Sequence, residues 1–168
     1  MPFCLCRLPE SRSVTCSGTT YDDMANDTIL RTASVQWTGD VAHGRGDITT
    51  GSGKIAAGYS FGTRFSGDPG TNPEELLGAA HAACFAMATS AVMTRAGHPP
   101  TSLAATATVH LDRKGEGFAV TKIELAINGK ADGISAEQFA EYAKTAEASC
   151  PISNALRAVP IELTTTFG

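Results

Sequence analysis

The sequence predicts an α+β fold in which antiparallel sheets wrap a long buried helix. Three observations predict it. Residues 31–37 alternate apolar and polar side chains with the period of a half-buried strand. Residues 72–96 open with helix-capping chemistry and then run almost uniformly small and apolar. Residues 102–128 hold two further alternating runs parted by Lys114 to Gly117, the pattern of a hairpin. With 168 residues, 42% of them hydrophobic, the chain can bury one real core, so a single domain over residues 24–168 is expected.

Composition excludes several function classes. A net charge of -4, with Lys and Arg scattered along the chain, gives no basic stripe for a nucleic-acid backbone. No apolar run is expected to reach the roughly 20 residues of a membrane span, and residues 1–20 lack the apolar core of a secretion signal, so a cytoplasmic location is expected. Residues 1–23 are rich in Ser, Thr and Pro without an apolar period, and read as a disordered extension. Met24 begins the more regular pattern and would serve as a natural translation start. The five cysteines are an odd number, with Cys4, Cys6 and Cys16 crowded at the start, which is no disulfide framework. Cys4 and Cys6 make at most half a zinc site. His43, His98 and His110 have no ligand spacing and no Gly-rich phosphate loop follows a strand, so neither metal nor cofactor is expected.

The elements follow in order. Ala33, Val35 and Trp37 share one face of the first strand; residues 46–50 and 59–65 read as two more, completing a small N-terminal sheet. Asn72 caps the long helix, Pro73 occupies the first position where a missing N–H costs nothing, and Glu75 is placed to close a capping box. Gly97 stops it, with Pro99 and Pro100 beyond. Because Gly78, Ala79, Ala80, Ala82, Ala83, Phe85 and Met87 leave no polar face, burial on every side is expected, with a second subunit supplying part of the cover. The hairpin follows. A second helix begins at Ser135 with Gln138 as its capping-box partner, presenting Phe139, Tyr142, Ala143 and Ala146 on one face. Cys150 and Pro151 end it, a short helix runs through Leu156, and residues 159–166 form the last strand.

Two cysteines stand inside the folded body. Cys84, in mid-helix, packs as a small hydrophobe as readily as it reacts, and position alone leaves both open. Cys150 precedes Pro151 at the cap of a new helix, where N–H groups and the positive dipole end favour a thiolate. His81, one turn before Cys84, is spaced to activate that thiol or to sit as a core histidine.

The longer pattern resembles a family. Gly70-Thr71-Asn72-Pro73-Glu74-Glu75-Leu76-Leu77-Gly78-Ala79-Ala80-His81-Ala82-Ala83-Cys84-Phe85 is similar to the signature of the OsmC/Ohr hydroperoxide reductases, as are Ser149-Cys150-Pro151-Ile152-Ser153 and Thr63-Arg64-Phe65. The similarity spans residues 31–167, and His81 and Arg64 place it nearer the OsmC branch. The resemblance implies an OsmC-like intertwined homodimer and a peroxidase of organic hydroperoxides that is less active on hydrogen peroxide. It implies Cys84 as the peroxidatic thiol, Cys150 as the resolving thiol, and Arg64 and Glu74 as the polar pair that organises the site. It implies a disulfide reopened by an external dithiol, a lipoylated protein or a small dithiol. Whether Glu75 or His81 assists is left open. A stress-associated scaffold of the same fold without turnover, and a Cys84/His81 hydrolase lacking an identified orienting group, are the other readings.

Overall fold

The computed structural model describes residues 28–168. The expected extension over residues 1–23, with Cys4, Cys6 and Cys16, lies outside the described residues. Strands β1 (Ala33–Thr38), β2 (Arg45–Thr50) and β3 (Ala56–Ser60) form an antiparallel meander in the order β1-β2-β3. The rings of Trp37 and Tyr59 stand 5.3 Å apart on one face of this sheet, where Gly46 between them leaves the space a side chain would fill.

The third strand is shorter than expected. Residues 59–65 were expected as one strand, but the chain turns at Ser60 into a short helix, α1 (Phe61–Phe65). The reason is local: the Ser60 hydroxyl accepts from the Thr63 N–H at 3.3 Å, and the Thr63 hydroxyl accepts from the Ser60 N–H at 2.9 Å. This reciprocal box outweighs the strand preference of the aromatic residues around it.

Helix α2 (Pro73–Arg95) has the expected ends. The Asn72 side chain accepts from the Glu75 N–H at 2.8 Å, and Gly97 takes a positive φ of 84° just beyond the last turn. The capping box is only half formed, because the Glu75 carboxylate accepts from the Thr71 hydroxyl at 2.9 Å instead. The expectation that no apolar run reaches membrane-span length is corrected here: α2 has 23 residues and an 18-residue window of mean hydropathy 1.6, enough by length and composition to cross. It is used as a core helix, packed on the second sheet and on the helices that follow.

Strands β4 (Ser102–Lys114) and β5 (Gly117–Lys130) form the long antiparallel hairpin, with a register shift between His110 and Leu111. Helices α3 (Ala136–Ser149) and α4 (Pro151–Ala155) then cross over, and β6 (Ile161–Phe167) pairs with β5 in parallel. The antiparallel hairpin thus carries one parallel strand, making the second sheet mixed, because a helical crossover returns the chain to the same end of the sheet. Alternate residues Leu125 and Ile127 of β5 meet Phe85 and Met93 of α2 and Phe139, Ala143 and Ala146 of α3 in one core.

One chain does not bury α2 on every side. The buried residues are Gly78, His81, Phe85, Thr89 and Met93, a single stripe at helical spacing, while Ala79, Ala80 and Ala83 are exposed and Met87 is 75% exposed. Every residue of β1 is exposed as well, Val35 and Trp37 included. None of the first sheet's strands packs broadly on α2, α3 or the second sheet. The link is made by α1, through the Phe65 and Phe118 rings at 4.8 Å and through Arg64 and Asn72.

Gly78 marks the closest approach of α2 to β4, where an added Cβ would stand 2.9 Å from the Ala107 carbonyl oxygen. Gly78→Ala gains about 1 kcal/mol of helix propensity but forces helix and strand apart, at a typical cost of about 1–3 kcal/mol for overpacking. A lower urea midpoint for Gly78→Ala is the expected result; a raised midpoint would show that the helix can withdraw from the strand freely.

Candidate active site

Proline creates the site. Pro151 cannot continue α3 and disfavours helical backbone in the residue before it, so Cys150 is extended, with φ -66° and ψ 122°, serving both as the last cap of α3 and the first of α4. At that corner its sulfur meets Cys84, which the middle of α2 carries. The two Sγ atoms are 3.1 Å apart, and both residues are free thiols.

The two thiols are unequal. Cys150 is fully buried, whereas Cys84 is half-buried and opens onto a cleft of about 410 Å³ shared with Met87, Ala88, Ala91, Arg95, Ser149 and Pro151. Burial pushes the Cys84 thiol up from its ordinary range, the contact with Cys150 pushes it further, and the Ile152 N–H only partly opposes them. Burial pushes Cys150 up too, but it is outweighed by the Ser153 N–H, the Cys84 thiol, the Ser153 hydroxyl and the Ile152 N–H, leaving Cys150 below its ordinary range. Cys150 closes no regular side-chain cap on α4, yet these donors bear on its sulfur. Either sulfur can donate across the 3.1 Å contact, and the surroundings leave the proton on Cys84.

Arg64 and Glu74 are paired with each other. Arg64 Nε donates to one Glu74 carboxylate oxygen at 3.0 Å and a terminal nitrogen donates to the other at 2.5 Å, a bidentate clamp that fixes the guanidinium plane. Arg64 also lines a hollow with Trp37, Val41, Tyr59, Phe61 and Phe65. That hollow shares no residue with the Cys84 cleft, and Arg64 is not among the groups that shift either thiol. A single chain thus assembles the four expected site residues as two separate pairs.

His81 makes no hydrogen bond to Cys84. It is fully buried, and its Nε2 lies 2.9 Å from the Ser153 hydroxyl while Nδ1 has no partner. The hydrolase geometry of a Cys84/His81 pair is therefore not formed. Glu75 is engaged with Thr71. Ser153 received no role from the sequence, although its place three residues after Cys150, across the first turn of α4, was a usable signal. Among the described residues, no cluster of His, Cys, Asp and Glu could hold a metal ion.

An α+β fold that presses a reachable thiol against a buried one defines a protein built for thiol redox chemistry. Residues 65–164 match the family described as OsmC-like protein, and the chain belongs to it. It is 47% identical over 132 residues to peroxiredoxin OsmC of Escherichia coli strain K12, covering 78% of this chain and 92% of that protein. Among solved structures it is similar to the organic hydroperoxide resistance protein OsmC of Legionella pneumophila, with 25% identity, a TM-score of 0.64, and 83% and 99% of the two chains covered. It is likewise similar to the organic hydroperoxide resistance protein OhrB of Bacillus subtilis, with 26% identity, a TM-score of 0.60, and 82% and 98% covered.

The buried imidazole makes stability depend on pH. Burial holds the His81 ring below its ordinary value of 6.5, with Glu147 opposing it. The unfolded chain therefore binds a proton at mildly acidic pH that the folded chain resists, and stability is lost as pH falls below the unfolded value. Urea unfolding from pH 7 to 5 should show His81→Gln losing less stability than the wild type, by up to about 1.4 kcal/mol per pH unit. Identical pH profiles would mean that His81 titrates alike in both states.

Proposed function

We propose that this chain is a thiol-dependent peroxidase that reduces organic hydroperoxides, and hydrogen peroxide less well, to alcohols and water. The observation that carries the reading is the contact of a reachable Cys84 with a buried Cys150 in a chain of this family. A nucleophile must meet its substrate, so the attacking thiol is Cys84, although Cys150 is the more readily ionised of the two in one chain. The Cys84 thiolate attacks the distal peroxide oxygen, an S–O bond forms, the O–O bond breaks, and the alkoxide leaves and is protonated. Cys150 then attacks the sulfenic sulfur, expelling hydroxide and closing a disulfide. An external dithiol, a lipoylated protein or a small dithiol, reopens that bond by exchange. The apolar wall of Met87, Ala88 and Ala91 favours a bulky organic peroxide.

Such a reaction needs a cation where the alkoxide develops. We place the Arg64/Glu74 clamp of one chain over the Cys84 of a second in a homodimer. Glu74 and Cys84 are ten residues apart on one helix, about 15 Å along its axis, and in one chain their hollows are separate. The exposed apolar face of α2, with Val35 and Trp37 of β1, supplies surface for the second chain to cover.

Peptide mass mapping after one equivalent of organic hydroperoxide tests the reading. A Cys84–Cys150 disulfide is expected; two unchanged thiols would favour a scaffold without turnover. Cys84→Ser should abolish peroxide consumption, whereas Cys150→Ser should complete about one turnover and then accumulate sulfinic acid on Cys84. The reverse pattern would exchange the two roles.

Arg64→Ala should slow peroxide reduction by about a hundredfold or more, as loss of a transition-state cation or donor does, with little change in the unfolding midpoint. Arg64→Lys should recover only part, because an ammonium cannot match the fork that Glu74 grips. Dimers mixed from Cys84→Ser and Glu74→Ala chains should regain about half of the wild-type activity, since one complete cross-chain site forms per dimer. A fully active monomer in sedimentation, or mixed dimers with no recovery, would refute the shared site.

A further inference from the structure

We propose that His81 is a positioning residue for the resolving step: its ring holds the Ser153 hydroxyl so that the hydroxyl hydrogen points at the Cys150 sulfur. The inference rests on the roles given above to the two cysteines, but its first test does not require peroxidase activity.

The starting point is a buried imidazole with one partner. His81 has no exposed surface, its Nε2 is 2.9 Å from Ser153 Oγ, and its Nδ1 meets nothing. Burial keeps the ring neutral, so it carries one N–H, and only two arrangements exist. If the hydrogen is on Nδ1, a buried donor is orphaned, and Nε2 must draw the Ser153 hydroxyl hydrogen to itself. If it is on Nε2, the ring donates to Ser153, and the hydroxyl hydrogen is free for another acceptor. Orphaned buried N–H groups are rarer than under-satisfied acceptors, which favours the second arrangement. The free hydrogen has a destination, because Ser153 stands three residues beyond Cys150 in the first turn that Cys150 caps, and its hydroxyl helps to hold that thiol down. The result is a one-way chain of donors, from His81 Nε2–H to the Ser153 hydroxyl to the Cys150 thiolate, each polarising the next.

The groups that bear on this chain are few. The Glu147 charge on α3 acts on the ring, and Cys84 of α2 is the titratable neighbour of Cys150. Thr89, the other buried hydroxyl of the α2 stripe, is already spent on the Phe85 carbonyl at 2.9 Å.

The consequence falls on two steps and spares a third. When the Cys150 thiolate attacks the Cys84 sulfenic acid, the S–S bond forms, the S–O bond breaks and hydroxide leaves to become water. The donor chain keeps Cys150 ionised for that attack. When the thiolate of an external dithiol later attacks the more accessible Cys84 sulfur, the S–S electron pair passes to Cys150, and the same donors receive the charge. The first attack of Cys84 on peroxide does not draw on them.

The test begins with Cys150 titrated alone, by thiolate ultraviolet absorbance in a Cys84→Ser background. Adding His81→Met, which fills the space without a donor, should raise the Cys150 pKa by about one unit, a tenfold loss of thiolate at any pH below it. Ser153→Ala should do the same, and the two together should do no more than either. His81→Gln, whose side-chain amide can reach the place of Nε2, should restore most of the wild-type titration. With Cys84 present, His81→Met should slow disulfide formation about tenfold after one equivalent of peroxide, without slowing sulfenic acid formation. An unchanged Cys150 titration in Ser153→Ala, a variant that loses one oxygen, overturns the proposal even if His81→Met does not fold. So does a His81→Gln titration equal to that of His81→Met, which would leave the ring as filling alone. If the titrations shift as expected but no peroxide is consumed by the wild type, the donor chain stands and the peroxidase reading falls.

Discussion

The meeting of two sulfurs depends on a corner in the backbone. Cys84 has no freedom of its own, since it is carried by the middle of a long helix whose next residue, Phe85, is locked in the core. Cys150 must come to it, and it does so because Pro151 ends α3 and turns the chain into α4 at that residue. The orientation of α3 is in turn fixed by Phe139, Ala143 and Ala146 packing against α2 and β5. Where α2 lies against β4, only a glycine at position 78 fits beneath the Ala107 carbonyl. The 3.1 Å contact thus draws on the packing of three helices and a sheet, and a shift of α3 by one turn, about 5.4 Å, would separate the thiols.

That corner also makes the thiols chemically different. The N–H groups of α2 around Cys84 are used within the helix, and the backbone donor that does bear on it, the Ile152 N–H, comes from α4. The first turn of α4 leaves the Ile152 and Ser153 N–H groups free of helical partners, and both lower the Cys150 thiol. Exposure runs the other way, since Cys84 faces the cleft and Cys150 faces the core. One residue is thereby accessible and short of charge stabilisation, and the other is stabilised and inaccessible. A peroxidatic centre needs both properties on one sulfur. Within one chain they are divided, and the bidentately held Arg64 stands over a different hollow.

Much of the architecture was legible because it follows from local chemistry. Asn72 with Pro73, Ser135 with Gln138, and Gly97 announced the helix ends, and the alternation in β4 and β5 announced the hairpin. The pairing partners of the two cysteines were legible only through the similarity to a family, since 66 residues separate them and no local rule joins them. What failed to be read had physical reasons. The Ser60/Thr63 box converts an aromatic run into a helical turn, a signal four residues long inside a stronger strand pattern. The parallel direction of β6 depends on where two helices return the chain, which periodicity does not encode. Three residues along a helix share a face, which points His81 toward Cys84, yet His81 lies in the buried stripe and Cys84 outside it, and the ring meets Ser153 instead.

The uncovered half of α2 is the clearest link between sequence and assembly. A helix lacking a polar face has no side that prefers water, and one chain covers only the stripe from Gly78 to Met93. Burying the rest of an exposed Met side chain alone would contribute about 1.5–3 kcal/mol, and Met87 is 75% exposed beside the Cys84 cleft. Its neighbours on that face, Ala79, Ala80 and Ala83, are small, so that whatever covers them can approach the helix backbone closely. A cover arriving there would also close the cleft, strip water from around Cys84 and strengthen any charge brought near it. In the homodimer proposed above, that open apolar face is where the Arg64/Glu74 clamp of a second chain would reach the Cys84 cleft, which one chain already lines with Arg95.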